Sequence, residues 1–502
     1  MRTILLIIST ALVLSCTEKP PKEGVKPNIL WIIAEDLSPF MGCYGDSINN
    51  GYTPTIDHLA SEGVLFKRAY ATAPVCSASR SALITGVMQT TTGTHQHRSS
   101  RTTDGEVVPE ILRILLPEHI KTIPELMRQA GYFTFNNGKD DYNFHYNRND
   151  LYALGQADDY VPGMNGWQGN RAKGFMSLND AVWSSRPDKK QAWFGQVQIM
   201  GGKSDFKYVE ERQKLAPDDV PLPPYFPDAP ELREAWTRHY NANRGSDVLI
   251  AEILAKLKAD GELENTIIFF FSDHGSNTSL RHKQFCYEGG LHVPLIIKGN
   301  HKAVKPGTIR NELVSLLDVS ATTLALAGIE LPEYLEGQNL FSDAYQPPQY
   351  MIGARDRCDY TIDRIRTVRS DTYRYIRNYY PERPMLQAGY RDDWPVVMAF
   401  KQLYADGKLN AYQAAHWFGT RPAEELYDLK ADPHQMNNLA QESDFKNVLE
   451  EHRALLQNWM RETDDKGQYQ ESSTQLKATY ELWKDRPIFK NAQVNPEYDR
   501  FR

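Results

Sequence analysis

Cysteine is scarce in this chain, five residues in 502. That excludes the small disulfide scaffolds whose bridges substitute for a core. Beyond the N-terminus no apolar run is long enough to span a bilayer. Positive charge is not concentrated anywhere. The net charge is −7, and no basic tract, zinc-finger spacing or RNA-binding signature is present, so nucleic acid is not an expected partner. Repeats and low-complexity segments are also missing. What remains, 41% hydrophobic and 24% charged residues, is an ordinary globular composition on a chain long enough for two domains.

The N-terminus reads as a targeting segment. Met1-Arg2 gives a basic start, residues 4–14 are apolar, and Leu12-Val13-Leu14-Ser15-Cys16 resembles a bacterial lipoprotein box. Cleavage before Cys16 would leave that cysteine N-terminal and lipidated. Residues 1–15 are then a signal peptide, and residues 16–26, rich in proline and lysine, a tether. The expectation is an exported lipoprotein of the cell envelope, touching the membrane by its lipid anchor only. A plain secretory peptide with an accidental cysteine is the other reading. Cys43, Cys286 and Cys358 form no even-numbered framework.

Residues 28–33 are a nearly continuous apolar run, the mark of a strand buried on both faces. Glu35-Asp36 follow at its carboxyl end. Residues 266–271 repeat the pattern and end in Ser272-Asp273-His274-Gly275. Helical patterns over 124–130 and 247–258 alternate with strands at 132–135, 193–199 and 293–298. The fold class is α/β: a mostly parallel sheet sandwiched by helices, with a smaller C-terminal α+β domain carrying an antiparallel sheet. Residues 27–350 form the expected catalytic domain, 351–485 the C-terminal subdomain with strands in 365–380 and a helix over 448–460, and 486–502 a tail. Ligands gather at the carboxyl ends of strands in such sheets, so the two acidic pairs belong on one edge.

Cys76 lies in Pro74-Val75-Cys76-Ser77-Ala78-Ser79-Arg80, before an apolar helical run. A lone cysteine there is by itself a small buried hydrophobe, and acidic residues after strands are by themselves solvated loop residues. Together, however, two acidic pairs and a nucleophile converge on one edge. Glu35, Asp36 and Asp273 could supply the oxygen ligands that calcium prefers, with His274 adjacent.

The Cys76–Arg80 string resembles the sulfatase signature C-x-[PSA]-x-R, and with these pairs the chain from about 27 to 440 resembles a type I sulfatase of the alkaline phosphatase-like superfamily. The resemblance implies that Cys76 is oxidised to formylglycine by a formylglycine-generating or anaerobic maturation enzyme. It implies one Ca2+ held by Glu35, Asp36, Cys76, Asp273 and His274. It makes Arg80 the stabiliser of the formylglycine hydrate, and Lys139 and Lys283 the holders of sulfate oxygens. Three departures stand out: Ala78 where the family more often has proline, Asp141 where it often has histidine, and Gly201-Gly202-Lys203 in place of a second histidine. Lys203 is therefore expected at sulfate or substrate, and His95 or His97 as the acid for the leaving alcohol. Two surface-loop histidines are equally plain polar loop. Arg355 and Arg357 are candidate contacts to an anionic sugar, or structural salt bridges. His282 and His292 are weaker candidates.

The expected function is sulfate removal from a sulfated polysaccharide or its oligosaccharides, of an algal kind such as ulvan or a glycosaminoglycan. A phosphatase, phosphodiesterase or phosphonate hydrolase of the same superfamily is the main alternative, and a non-catalytic glycan-binding lipoprotein the third.

Overall fold

Strand β1 (Asn28–Ala34) is buried at all seven positions, and it lies at the centre of an eight-stranded sheet. The structure is a computed structural model that describes residues 26–98, 109–153, 182–277, 280–491 and 494–502. Cys16, the expected signal peptide and the tether up to residue 25 lie outside them. The remaining strands of this sheet are β2 (Val64–Tyr70), β3 (Phe133–Asn137), β4 (Trp193–Ile199), β5 (Thr266–Ser272), β6 (His292–Val293), β7 (Leu295–Lys298) and β8 (Thr308–Ser315). Their order is β3-β4-β1-β5-β7-β2-β6, with β8 against β2.

Four neighbours, β3, β4, β1 and β5, are parallel. β7 runs antiparallel to both β5 and β2, and β6 antiparallel to β2. The sheet is thus more mixed than the apolar runs alone suggest, and Pro294 divides the expected 293–298 strand into two short pieces.

Alternation along β1 supplies both faces. Ile29, Trp31 and Ile33 pack with Phe194, Phe269 and Phe271 on one side. Leu30, Ile32 and Ala34 pack with Phe135, Val197, Phe270, Ile250 and Ile253 on the other. Each such side chain contributes about 1.5–3 kcal/mol by leaving water. Ile250 and Ile253 come from the helix Pro230–Ala259, thirty residues long and far longer than the 247–258 periodicity indicates. Its first half was hidden because it buries polar residues, His239, Asn241, Asn243, Arg244 and Ser246, which break the apolar stripe.

A second sheet, β9 (Met351–Arg355), β10 (Ile365–Arg369), β11 (Tyr373–Asn378) and β12 (Glu424–Asp428), is antiparallel throughout, in the order β12-β11-β10-β9. The helix Lys446–Glu462 covers it with Leu449, Leu456 and Trp459. The end of the chain is packed as well: Phe489 and Tyr498 are buried with Tyr360 and Ile362. Among the described residues no helix is long and apolar enough to cross a membrane, and all four cysteines are unpaired.

Candidate active site

Register places the chemistry. Ala34 of β1 pairs with Ile199 of β4 and Ser272 of β5, so the residues following these three strands emerge at one level. β3 delivers the loop with Lys139 and Asp141 beside them. Glu35-Asp36, Asp273-His274, Lys203 and Lys139 thus come from four adjacent parallel strands. The Asp36 N–H donates to Asp273 Oδ1 at 3.0 Å, tying two strand ends together. Asp36 does so at φ 55, a left-handed conformation that aspartate tolerates better than most residues.

Cys76 opens the helix Cys76–Thr85, which is buried at every position. Its Sγ lies 3.1 Å from Lys283 Nζ, 3.1 Å from His274 Nε2 and 3.6 Å from Asp36 Oδ1. Burial pushes the thiol up, yet Lys139, Lys283, His274 and Lys203 outweigh it and hold the thiol well below its usual value. The surroundings of the sulfur favour an anion at that point. Helix-end N–H groups add to the same field.

Three buried cations, Lys283, Arg80 and Lys139, and the half-buried Lys203 surround this point. Lys283 also bonds both oxygens of Asp36, at 3.1 and 3.2 Å. Arg80 Nε donates to Asp273 Oδ2 at 2.8 Å and its Nη1 to Gln198 Oε1 at 2.8 Å. Lys139 Nζ sits 2.9 Å from Asp141 Oδ2 and 3.3 Å from Glu35 Oε1. Lys203 pairs with Glu35 and approaches Asp36 Oδ2 at 3.9 Å. Lys203, expected at sulfate or substrate, thus lies beside Glu35 and Asp36.

Lys203 is carried on a tight turn built by glycines. Gly201 has φ 49, and its N–H donates to Asp205 at 2.7 Å. Burial pushes Asp205 up to about 7 despite hydrogen bonds from Ser246 and Gly201. A Cβ at Gly202 would run into the carbonyl oxygen of Asp36. Gly202→Ala is accordingly expected to displace both Lys203 and Asp36, lowering kcat by about 10²-fold or more. Steady-state kinetics with a melting curve check this, and a variant with unchanged turnover contradicts it.

One ligand atom each from Asp36, Cys76, Asp273 and His274 lie within 4.8 Å of one another. His274 Nδ1 lies 2.8 Å from the Gly275 carbonyl oxygen, which fixes that nitrogen as the donor and leaves Nε2 for a ligand. Burial lowers the His274 value, but Asp273, Cys76 and Asp36 raise it to about 10. These anions draw a proton to the point where a cation fits. Two carboxylates, one sulfur and one imidazole nitrogen make a donor set that can hold a divalent cation.

Glu35 departs from the metal role. It stands outside the ligand cluster, and its longer arm carries the carboxylate to Lys203, Lys139 and, at 3.5 Å, Arg80. His95 also departs. Its ring lines a cavity with Asp356 and Glu471, and burial holds it below the ordinary histidine value. His97 is fully buried, with Nδ1 3.4 Å from Asp359 Oδ1. No hydrogen bond or ion pair joins its ring to Cys76 among the described residues. Arg355 and Arg357, expected at an anionic sugar or in salt bridges, are both ion-paired within the protein. Arg355 pairs with Asp363 at 3.1 Å, and Arg357 forks onto Glu471 at 2.7 and 2.9 Å. His282 is packed against Gly289 and within 3.2 Å of Ser38 Oγ. His292 Nε2 meets the Lys67 carbonyl oxygen.

Three participants were missed in the sequence. Gln198 was visible in principle, since a glutamine in a fully buried strand must have a partner. Arg98, at φ 59, sets its guanidinium 3.7 Å from Asp359 Oδ1 and donates its backbone N–H to Ser77 Oγ, next to Cys76. Arg391 braces the Lys283 loop by donating to the carbonyl oxygens of Asn277 and Lys283 and to Gln284 Oε1. No local pattern signals either arginine.

Comparison with known proteins agrees with this geometry. Residues 27–329 match the sulfatase family model, and residues 277–385 match the C-terminal model of N-sulphoglucosamine sulphohydrolase. An ulvan-active sulfatase of Formosa agariphila is 32% identical over 472 residues, covering 89% of this chain and 77% of the relative. The solved structure of a 2-O GAG sulfatase superposes with a TM-score of 0.60 at 20% identity, covering 90% of this chain and 96% of the other. The phosphonate monoester hydrolase of Agrobacterium radiobacter reaches 0.59 at 18% identity, covering 87% and 96%, so the fold alone does not choose the ester. The family match over more than half the chain and the 32% identical relative do choose it: the chain is an enzyme of the sulfatase family, acting as a hydrolase on sulfate esters.

Proposed function

We infer that the protein removes sulfate from a sulfated polysaccharide or its oligosaccharides, using formylglycine made from Cys76 and one calcium ion. The observation carrying this reading is the cysteine itself. It is buried at a helix start with Lys283 Nζ and His274 Nε2 each 3.1 Å from its sulfur, where related phosphate-cleaving sites place serine or threonine. Ulvan is the favoured substrate, because the 32% identical relative is an ulvan-active sulfatase. Export as a lipoprotein through Cys16 belongs to the same reading and rests on the N-terminal sequence.

Hydrated formylglycine supplies two hydroxyls on one carbon, one to attack sulfur and one to expel sulfate afterwards. Calcium, held by Asp36, Asp273, His274 and residue 76, supplies positive charge at the attacking group. Lys139, Lys203 and Lys283 are placed to meet the negative charge that grows on the transferring sulfuryl oxygens, and burial makes that attraction strong. Arg80, fixed by Asp273 and Gln198, holds the helix and residue 76 in orientation. Asp36, Glu35 and Asp141 pair with the three lysines and hold them aimed before substrate arrives.

The test is incubation of matured enzyme with defined sulfated oligosaccharides, followed by ion chromatography. Released sulfate is expected. Phosphate released from the matching phosphate esters, with no sulfate, contradicts the reading.

A further inference from the structure

Away from Cys76, a cavity of about 350 Å³ opens between the second sheet and the C-terminal segment. It is lined by His95, Gln96, Arg364, Tyr379, Tyr469 and Glu497 among others. Its carboxylates already have cations. Arg366 binds Asp356 at 3.0 Å, and Arg421 and Arg355 hold Asp363 at 2.8 and 3.1 Å. Arg357 forks onto Glu471, and Arg383 bonds Glu497. Arg364 is different. Its nearest carboxylate, on Asp465, lies 3.9 Å away and is itself bonded twice by Arg366, at 2.7 and 2.9 Å. Two of its buried nitrogens, Nε and Nη2, have no hydrogen-bond partner. The guanidinium stacks on Tyr379 at 3.8 Å, which fixes its plane. Burial and the neighbouring Arg366 depress it below the ordinary arginine value, as expected for a cation short of an anion.

We propose that this cavity is a distal subsite for an anionic substituent, sulfate ester or uronate carboxylate, on a sugar of the same polysaccharide chain whose sulfate is cleaved at Cys76, with Arg364 as the binding cation. The proposal rests on the carbohydrate reading above. The space exceeds a lone sulfate. Free acceptor atoms at Glu497 Oε2 and Asp356 Oδ2 and an unpartnered Nδ1 at His95 suit sugar hydroxyls. Connectivity supports one ligand for both places. His95 lines the cavity, whereas Arg98, three residues on, donates its backbone N–H to Ser77 Oγ at 3.1 Å, beside Cys76. Three residues span at most about 10 Å, the length of roughly two sugar units.

The test compares matured wild type with Arg364→Met and Arg364→Lys on a sulfated monosaccharide and on a tetrasaccharide of the same repeat. Arg364→Met is expected to raise KM for the tetrasaccharide about 10-fold or more, the loss of a charged hydrogen bond. Monosaccharide turnover should be unchanged and the lysine variant intermediate. Equal loss on both substrates, or loss on neither, overturns the subsite while leaving the sulfatase reading standing. Wild type assayed with tetrasaccharides lacking either the distal sulfate or the distal carboxylate identifies the anion without any variant. If neither deletion raises KM, the proposal fails.

Discussion

Cys76→Ala is expected to abolish sulfate release, a fall of about 10⁴-fold or more, while the protein still folds. The side chain is fully buried, but it is small, and the groups around its sulfur have other partners. Lys283 retains Asp36 at 3.1 Å and His274 retains Asp36 at 3.0 Å. The melting temperature should therefore shift by only a few degrees, and near-normal folding with no turnover separates chemistry from packing. Cys76→Ser sharpens the test. A serine hydroxyl could attack sulfur once, but it has no second hydroxyl to expel the sulfate. At most one equivalent per enzyme is expected, retained as a serine sulfate ester and visible by mass. Sustained turnover by either variant would place the nucleophile elsewhere.

Calcium dependence is the second large effect. Chelation should remove activity, and added calcium should restore it with a rise in melting temperature. An ion that binds only the folded state at a hundredfold excess over Kd stabilises by about 2.7 kcal/mol. Asp36→Asn tests whose charge is responsible. Burial opposes ionisation of Asp36, but Lys203 and Lys283 hold its carboxyl far below the usual range. Asparagine keeps the shape and tolerates the φ of 55 at this position, so the substitution removes charge with little backbone strain. The variant should lose the calcium-induced thermal shift and most turnover. A full calcium response in Asp36→Asn would move the ion away from the end of β1.

The elements that carry the site were the most legible parts of the sequence. Residues 28–33 and 266–271 had to be central strands because they are apolar on both faces, and the polar residues at their ends had to meet once the strands were parallel. Lys203 was legible only through the resemblance, as the segment standing where the family has a second histidine. The histidines and arginines were not, because side-chain direction in irregular chain is set by contacts hundreds of residues apart. His95 and His97 differ by two positions, yet one faces the Asp356–Arg366 cluster and the other Asp359. Arg355 and Arg357 looked available in sequence, but Asp363 and Glu471 claim them only after the second sheet and the C-terminal segment assemble. Glu35 shows the limit of carrying a role by position, since its added methylene moves the charge from the ligand cluster to the lysines. The acid that protonates the departing sugar had no clear sequence signal, and His97, packed beside Asp359, is not joined to Cys76 by its ring.

Mass spectrometry of the peptide containing residue 76, taken from fully active enzyme, tests the central claim most directly. The account predicts formylglycine at that position, in a fraction that rises in proportion to specific activity across preparations matured to different extents. Full activity in enzyme whose Cys76 remains a free thiol would contradict it.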